Sequence, residues 1–118
     1  MSKHNKIGIK GEQIAAKFLL NKGYIILHNN WRSGKKEIDI IAQKDDVLVI
    51  VEIKTRTNLD FGFPEEAVTR KKQSFLKSAA AVFIENHPQY PIIRFDIVSI
   101  LMDEHAVKEI IHFEEAFY

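Results

Sequence analysis

Glu37-Ile38-Asp39-Ile40-Ile41-Ala42-Gln43-Lys44-Asp45-Asp46-Val47-Leu48-Val49-Ile50-Val51-Glu52-Ile53-Lys54 holds two strands, the turn between them and the charges at their ends. From Glu37 to Gln43 the side chains alternate, with Glu37, Asp39 and Ile41 on one side and Ile38, Ile40 and Ala42 on the other. Lys44-Asp45-Asp46 is a turn signal. Val47 to Val51 is apolar without alternation, which predicts a strand buried on both faces in the middle of a sheet. Glu52 and Lys54 close that strand two residues apart, on one face and roughly 6–7 Å from each other. Three charges at the ends of two buried strands are costly to desolvate unless something compensates them. A divalent cation between Asp39 and Glu52 would do so, because magnesium prefers oxygen ligands. Lys54 would then orient a water or neutralise transition-state charge. The plainer alternative is a salt bridge between neighbouring strands. The aspartate on the first hairpin strand and the apolar run leading into Glu-x-Lys favour the site.

Working outward, Ile14, Ala15, Phe18 and Leu19 form one apolar stripe and predict a first helix from about Gly8 to Lys22, with Gly23 as a left-handed cap. Tyr24 to Leu27 reads as a short strand that ends in the polar His28-Asn29-Asn30. Past a loop from Thr55 to Phe63, Pro64-Glu65-Glu66 has the form of a helix start, and the helix runs to about Glu85. Val68, Phe75, Leu76, Ala79, Val82 and Phe83 would lie on its apolar face, and Pro88 and Pro91 stop it. Ile92 to Leu101 and Val107 to Phe113 read as two further strands around the turn Asp103-Glu104-His105. The expected order is α-β-β-β-α-β-β, an α/β fold with a mixed sheet flanked by helices. Residues 1–118 are read as a single domain, since no linker, repeat or low-complexity tract interrupts them.

The composition, 46% hydrophobic and 28% charged, is that of an ordinary globular protein. Ala79 to Ile84 is the longest apolar run, too short to span a membrane. No hydrophobic segment follows the first lysines, so a cytoplasmic protein is expected. The absence of cysteine excludes disulfides, thiolate zinc sites and a cysteine nucleophile. The net charge of +1 hides two basic blocks around an acidic centre. Residues 1–36 carry eight Lys/Arg and one acid, and residues 37–69 carry three and eight. Residues 70–77 carry four bases and no acid, and residues 78–118 carry two bases and seven acids. Such blocks suit a polyanion held at its backbone beside a carboxylate site, and equally suit solvated helix faces.

Asp39 with Glu52-Ile53-Lys54 resembles the PD-(D/E)XK nuclease motif, in the element order of the restriction-endonuclease-like fold. Further blocks are similar to the YraN-like family of predicted endonucleases. They are Gly11-Glu12-Gln13-Ile14-Ala15-Ala16, Gly23-Tyr24, Asn30-Trp31-Arg32, Glu37 to Ala42, Val51 to Arg56, Glu66-Ala67-Val68, Lys72-Gln73, Arg94-Phe95-Asp96 and Ala116-Phe117. Two positions depart from the pattern: Ile38 stands where the superfamily's proline would be, and Lys36 where the family usually has glycine. The resemblance implies Asp39 and Glu52 as ligands of Mg²⁺ or Mn²⁺, the Ile53 carbonyl as a third, and Lys54 as the catalytic lysine. Glu12 matches the first-helix glutamate that assists metal binding in similar Holliday-junction resolvases, and otherwise reads as a helix-surface acid. Glu37 is a supporting acid or a flanking salt-bridge partner, and Gln73 resembles a helix glutamine of some nucleases in this superfamily.

Arg32, Lys35, Lys36 and Arg56 flank the motif and, with Arg70, Lys71 and Lys72, are candidate phosphate contacts. Trp31 is expected to pack in the core, the alternative being stacking on a splayed base. Asp96 is expected to pair with a basic residue of the second helix. His4, His28, His87, His105 and His112 lack metal-type spacing, and no phosphate-binding glycine loop or nucleophile elbow occurs. The resulting expectation is a metal-dependent endonuclease acting on DNA, branched or distorted forms included. A homodimer would suit a symmetric substrate. The alternatives are a nucleic-acid-binding protein without turnover and a scaffold that binds partners through the acidic C-terminal part.

Overall fold

The computed structural model describes residues 6–57, 68–103 and 106–118. In chain order the elements are α1 (Lys6–Asn21), β1 (Ile25–Ser33), β2 (Lys36–Lys44), β3 (Val47–Arg56), α2 (Arg70–Glu85), β4 (Ile92–Asp103) and β5 (Ala106–Phe117). The five strands form one mixed sheet in the order β1-β2-β3-β4-β5. β3 pairs antiparallel with β2 and parallel with β4, and the other neighbouring pairs are antiparallel. This is the α-β-β-β-α-β-β order expected from the sequence.

β3 occupies the centre because its residues suit both faces of the sheet. Leu48 and Ile50 pack with Leu76, Ala79 and Phe83 of α2, while Val49 and Val51 pack with Ala15 and Leu19 of α1. All four β3 residues are essentially inaccessible to solvent. At about 1.5–3 kcal/mol for each fully buried aliphatic side chain, this strand contributes to both layers at once. Trp31 takes the packing role, edge-on to the Phe83 ring at 5.8 Å. α1 ends where expected: Gly23 sits at φ 92, and the Tyr24 N–H returns to the Leu19 carbonyl at 3.0 Å.

Three boundaries differ from the sequence reading. β1 continues to Ser33 instead of stopping at Leu27, and Trp31, Arg32 and Ser33 pair with Ile38, Glu37 and Lys36. Its polar residues lie on an exposed sheet edge, where hydropathy carries no strand signal. α2 begins at Arg70, capped by Thr69, whose extended backbone (φ −71, ψ 167) excludes a helix running through from Pro64. The Thr69 hydroxyl accepts from the Lys72 N–H at 3.2 Å, satisfying one of the helix's first free donors. Pro64-Glu65-Glu66 itself lies outside the described residues. β5 extends to Phe117 through a bulge, with Phe95 opposite Phe117 and Ile97 opposite Phe113. Among the described residues no helix is long and apolar enough to cross a membrane.

Candidate active site

Pairing between β2 and β3 runs from Lys44–Val47 to Ile40–Val51 and stops there. The next pair in that register would set Asp39 opposite Glu52, and like charges directly opposed across a ladder are destabilising. Asp39 instead turns its carboxylate to β3, where Oδ2 accepts the Ile53 N–H at 2.8 Å. A side chain thus replaces a backbone partner at the point where the two strands separate. Burial, with the Glu52 charge next in importance, pushes the Asp39 carboxyl up to about 7 from an ordinary value of 3.8. The Ile53 hydrogen bond opposes that rise, Glu12 adds to it, and Lys72 weakly offsets it.

Glu52 is buried and lies between two cations. Lys54 Nζ, on the same strand, is 3.5 Å from Oε2, and Lys72 Nζ, in the first turn of α2, is 3.8 Å from the same oxygen. Lys72 also lies over the Phe75 ring at 5.1 Å, and Lys36 approaches that ring from β2 at 5.8 Å. Lys36 further donates to Ser78 Oγ at 3.3 Å, tying the β2 start to α2. Asp39, Glu52, Lys54, Lys72 and Lys36 therefore follow one another along one side of the sheet. Arg70 and Lys71 stand exposed at the α2 start, and Lys35 is exposed in the β1–β2 turn. Arg56 ends β3 with a buried Nε that has no hydrogen-bond partner among the described residues.

The remaining candidates have other neighbours. Glu37 pairs with Arg32 across the β1–β2 ladder at 3.9 Å, the flanking salt bridge rather than a contact to Asp39. Gln73 donates to the Val68 carbonyl at 3.2 Å and ties down the segment leading into α2. Glu12 accepts from Asn30 Nδ2 at 3.1 Å, and Asn30 holds a left-handed backbone at φ 52. α1 comes close to the end of β3 because Gly11 lies against Thr55, where a Cβ would overlap Thr55 Oγ1. Among the described residues no group of three or more His, Asp or Glu converges as a metal cage. A cation would accordingly use the two carboxylates of Asp39 and Glu52, supplemented by backbone carbonyl and water. That set fits: both are hard oxygen donors, and the Asp39 charge is poorly compensated by the protein alone.

Asp96 contradicts the expected pairing with the second helix. It lies on the α1 side of the sheet, fully buried, and takes Arg94 Nε and Nη2 at 2.9 and 2.8 Å. His112 Nε2 is 2.7 Å from its Oδ2, and the Glu115 N–H in the β5 bulge donates to Oδ1 at 3.1 Å. Lys22 Nζ reaches His112 Nδ1 at 2.7 Å, and an ammonium only donates, so Nε2 carries the imidazole proton toward Asp96. Burial alone would raise the Asp96 carboxyl, but the His112 and Arg94 hydrogen bonds outweigh it and hold the group below its ordinary range. The clue available in sequence was Arg94 and Asp96 two apart on one strand face; His112 gave none.

A family model described as "Uncharacterised protein family UPF0102" matches residues 11–100, which include every residue of the carboxylate site. Similar proteins include a UPF0102 protein of Flavobacterium psychrophilum, 45% identical over 118 residues and covering 100% of this chain and 98% of its own. One from Chloroherpeton thalassium is 48% identical over 105 residues, 88% of this chain and 81% of the relative. Another, from Dictyoglomus thermophilum, is 46% identical over 102 residues, 86% of each. These matches span most of both partners, and the chain belongs to the UPF0102 family, the YraN-like proteins.

Proposed function

We propose that this chain is a divalent-metal-dependent phosphodiesterase of the PD-(D/E)XK superfamily, built on the restriction-endonuclease-like fold and acting on DNA. The observation that carries the proposal is Asp39: a carboxylate just past the last β2–β3 pair, near enough to Glu52 to feel its charge, and costly to ionise without a cation. A purely structural aspartate would be expected to find an Arg or Lys, as Asp96 does.

When bound, Mg²⁺ or Mn²⁺ supplies Lewis-acid polarisation of a phosphodiester oxygen and a more acidic water. Asp39 and Glu52 hold the cation, with the Ile53 backbone fixing the Asp39 rotamer through its N–H. Lys54 is partly exposed beside Glu52, where it would orient the attacking water and offset negative charge developing on the phosphoryl oxygens. Lys72, Lys71 and Arg70 cluster in the first turn of α2, where the helix dipole disfavours cations by about 0.3–1 kcal/mol each. A phosphate backbone at that helix start reverses the penalty, and Lys36 extends the basic strip toward β2. So small a domain offers little surface for reading a long base sequence, which favours selection of branched or distorted DNA over sequence-specific cutting. A nucleic-acid-binding protein without turnover is the second reading, favoured by the Lys54 and Lys72 pairs that already balance Glu52.

The test is a cleavage panel of labelled single-stranded, duplex, flap and four-way-junction DNA with Mg²⁺, Mn²⁺ or EDTA. Asp39→Asn and Lys54→Ala variants run alongside. The expected result is metal-dependent cutting, lost in both variants while DNA binding persists. Binding without cutting under either metal establishes the second reading, and absence of both refutes the proposal.

A further inference from the structure

A groove of about 430 Å³ runs between α1 and the start of the sheet, outside the carboxylate site but sharing Glu12 with it. Its helix wall is the stripe Ile9, Gln13, Ala16, Lys17 and Leu20, about 16 Å long at 1.5 Å per residue. Facing it are Asn29 and Asn30 of β1. Ile9 and Leu20 are 47% and 55% exposed, large aliphatic side chains on a helix whose other face builds the core. Between these apolar ends stand three carboxamides, Gln13, Asn29 and Asn30.

That lining is specific in its chemistry. A carboxamide offers two N–H donors and a carbonyl acceptor in one plane, the complement of a nucleobase edge. Aliphatic side chains offer the flat faces of a base an apolar contact. The size suits a small planar ligand rather than a protein element. An apolar side chain from a protein partner would strip Gln13 and Asn29 of their hydrogen bonds to water without replacing them, at a cost for each one desolvated. The charged members of the lining are Lys17, available to a phosphate beside the base, and Glu12 at the inner end. At the inner end, Asn30 adopts its left-handed backbone while donating to Glu12.

We propose that the α1–β1 groove receives an unpaired base of a DNA strand whose backbone continues to the Asp39–Glu52 site. The path of that backbone rests on the phosphodiesterase reading; the base pocket does not. A base stacked and paired in a duplex cannot enter a groove walled by a helix. The pocket therefore selects strands with an unpaired or extruded nucleotide, which supplies the structural selectivity that so small a domain needs.

The experiment is fluorescence anisotropy in EDTA, so that no turnover occurs. The probes are labelled oligothymidylate and an abasic strand of equal length. Oligothymidylate is expected to bind about tenfold more tightly, within the range that one contacted base contributes. Leu20→Ser and Asn29→Ala alter exposed side chains and should leave the fold intact, as circular dichroism checks. Each is expected to cut the preference to below about threefold without changing abasic affinity. Equal affinity for the two strands, or a preference unaltered by both variants, overturns the pocket. Sedimentation of the wild type and Leu20→Ser covers the other occupant: self-association lost in the variant would make the groove a contact between copies and overturn the proposal. Base preference without metal-dependent cleavage would sustain the pocket and sink the phosphodiesterase, whereas cleavage without base preference does the reverse. If neither strand binds, the pocket falls, and the cleavage panel alone decides the phosphodiesterase.

Discussion

Replacing Asp39 with asparagine should make this protein more stable while removing the proposed metal site. The Asp39 carboxyl rises from 3.8 to about 7 because burial and the neighbouring Glu52 oppose its charge. Each unit corresponds to 1.36 kcal/mol, so the folded state bears about 4 kcal/mol for carrying that charge at pH 8. Asparagine is neutral, nearly isosteric, and keeps an oxygen to accept the Ile53 N–H. Allowing for relaxation around the charged form, Asp39→Asn should gain about 2–4 kcal/mol at pH 8. In a domain of this size that raises Tm by roughly 6–15 °C. The sign follows from the direction of the shift. Where the folded group titrates above the unfolded one, stability is present at low pH and lost as pH rises through the folded value. The gap between variant and wild type should therefore narrow to roughly 2 kcal/mol at pH 5 and under 1 kcal/mol at pH 4, where the wild-type carboxyl is neutral. Thermal melts of both proteins in EDTA across this range are the assay. A variant less stable at pH 8, or a gap that does not change with pH, would refute the electrostatic account. Adding Mn²⁺ should raise the wild-type Tm alone.

Three further outcomes are expected. Glu52→Gln removes the neighbouring charge and should bring the Asp39 titration down from about 7, as a carboxyl ¹³C NMR titration would report; an unmoved midpoint contradicts the pairing. Gly11→Ala sets a methyl against Thr55 and should cost about 1–3 kcal/mol in urea unfolding, with much of it recovered by adding Thr55→Ala; strictly additive losses would show that the contact is not the cause. Asp96→Ala leaves the partly buried Arg94 and the buried His112 ring without their acceptor and should cost about 3–5 kcal/mol at pH 7. Because Asp96 titrates below its ordinary range, its contribution is present at neutral pH and fades as pH falls through the acid range, so the Ala deficit should shrink there; a deficit constant with pH would point to packing alone.

The hairpin from Glu37 to Lys54 was legible because its pattern is one of burial, and burial is what hydropathy reports. Val47 to Val51 could only be a central strand, and the charges after it could only lie at its end. What stayed hidden depended on register. That Asp39 would lie opposite Glu52 follows from counting back from the turn, but its hydrogen bond to the Ile53 N–H needs strands that part at that residue. β1 carries no strand signal past Leu27, because an exposed edge strand with a bulge lacks apolar alternation and its Asn29-Asn30 reads as a turn. The α2 start was misplaced because Pro64-Glu65-Glu66 is a stronger written signal than Thr69, although Thr69 has the capping hydroxyl. The face of the sheet that Asp96 occupies follows only from the sheet order, which the sequence of one strand does not carry.

The sheet's connectivity also has a kinetic consequence. β1, β2 and β3 are joined by two hairpins, so every pairing among residues 25–56 closes a short loop. β4 joins in parallel only after the chain has crossed over through α2, and β5 folds back on β4. The low-contact-order half of the molecule therefore contains Asp39, Glu52 and Lys54, whereas Lys72 and the core beneath α2 arrive with the long-range pairing. Transition-state structure should accordingly be concentrated in the β2–β3 hairpin. Core substitutions in that hairpin would then slow folding, while those at Phe83 or Ile97 would mainly speed unfolding.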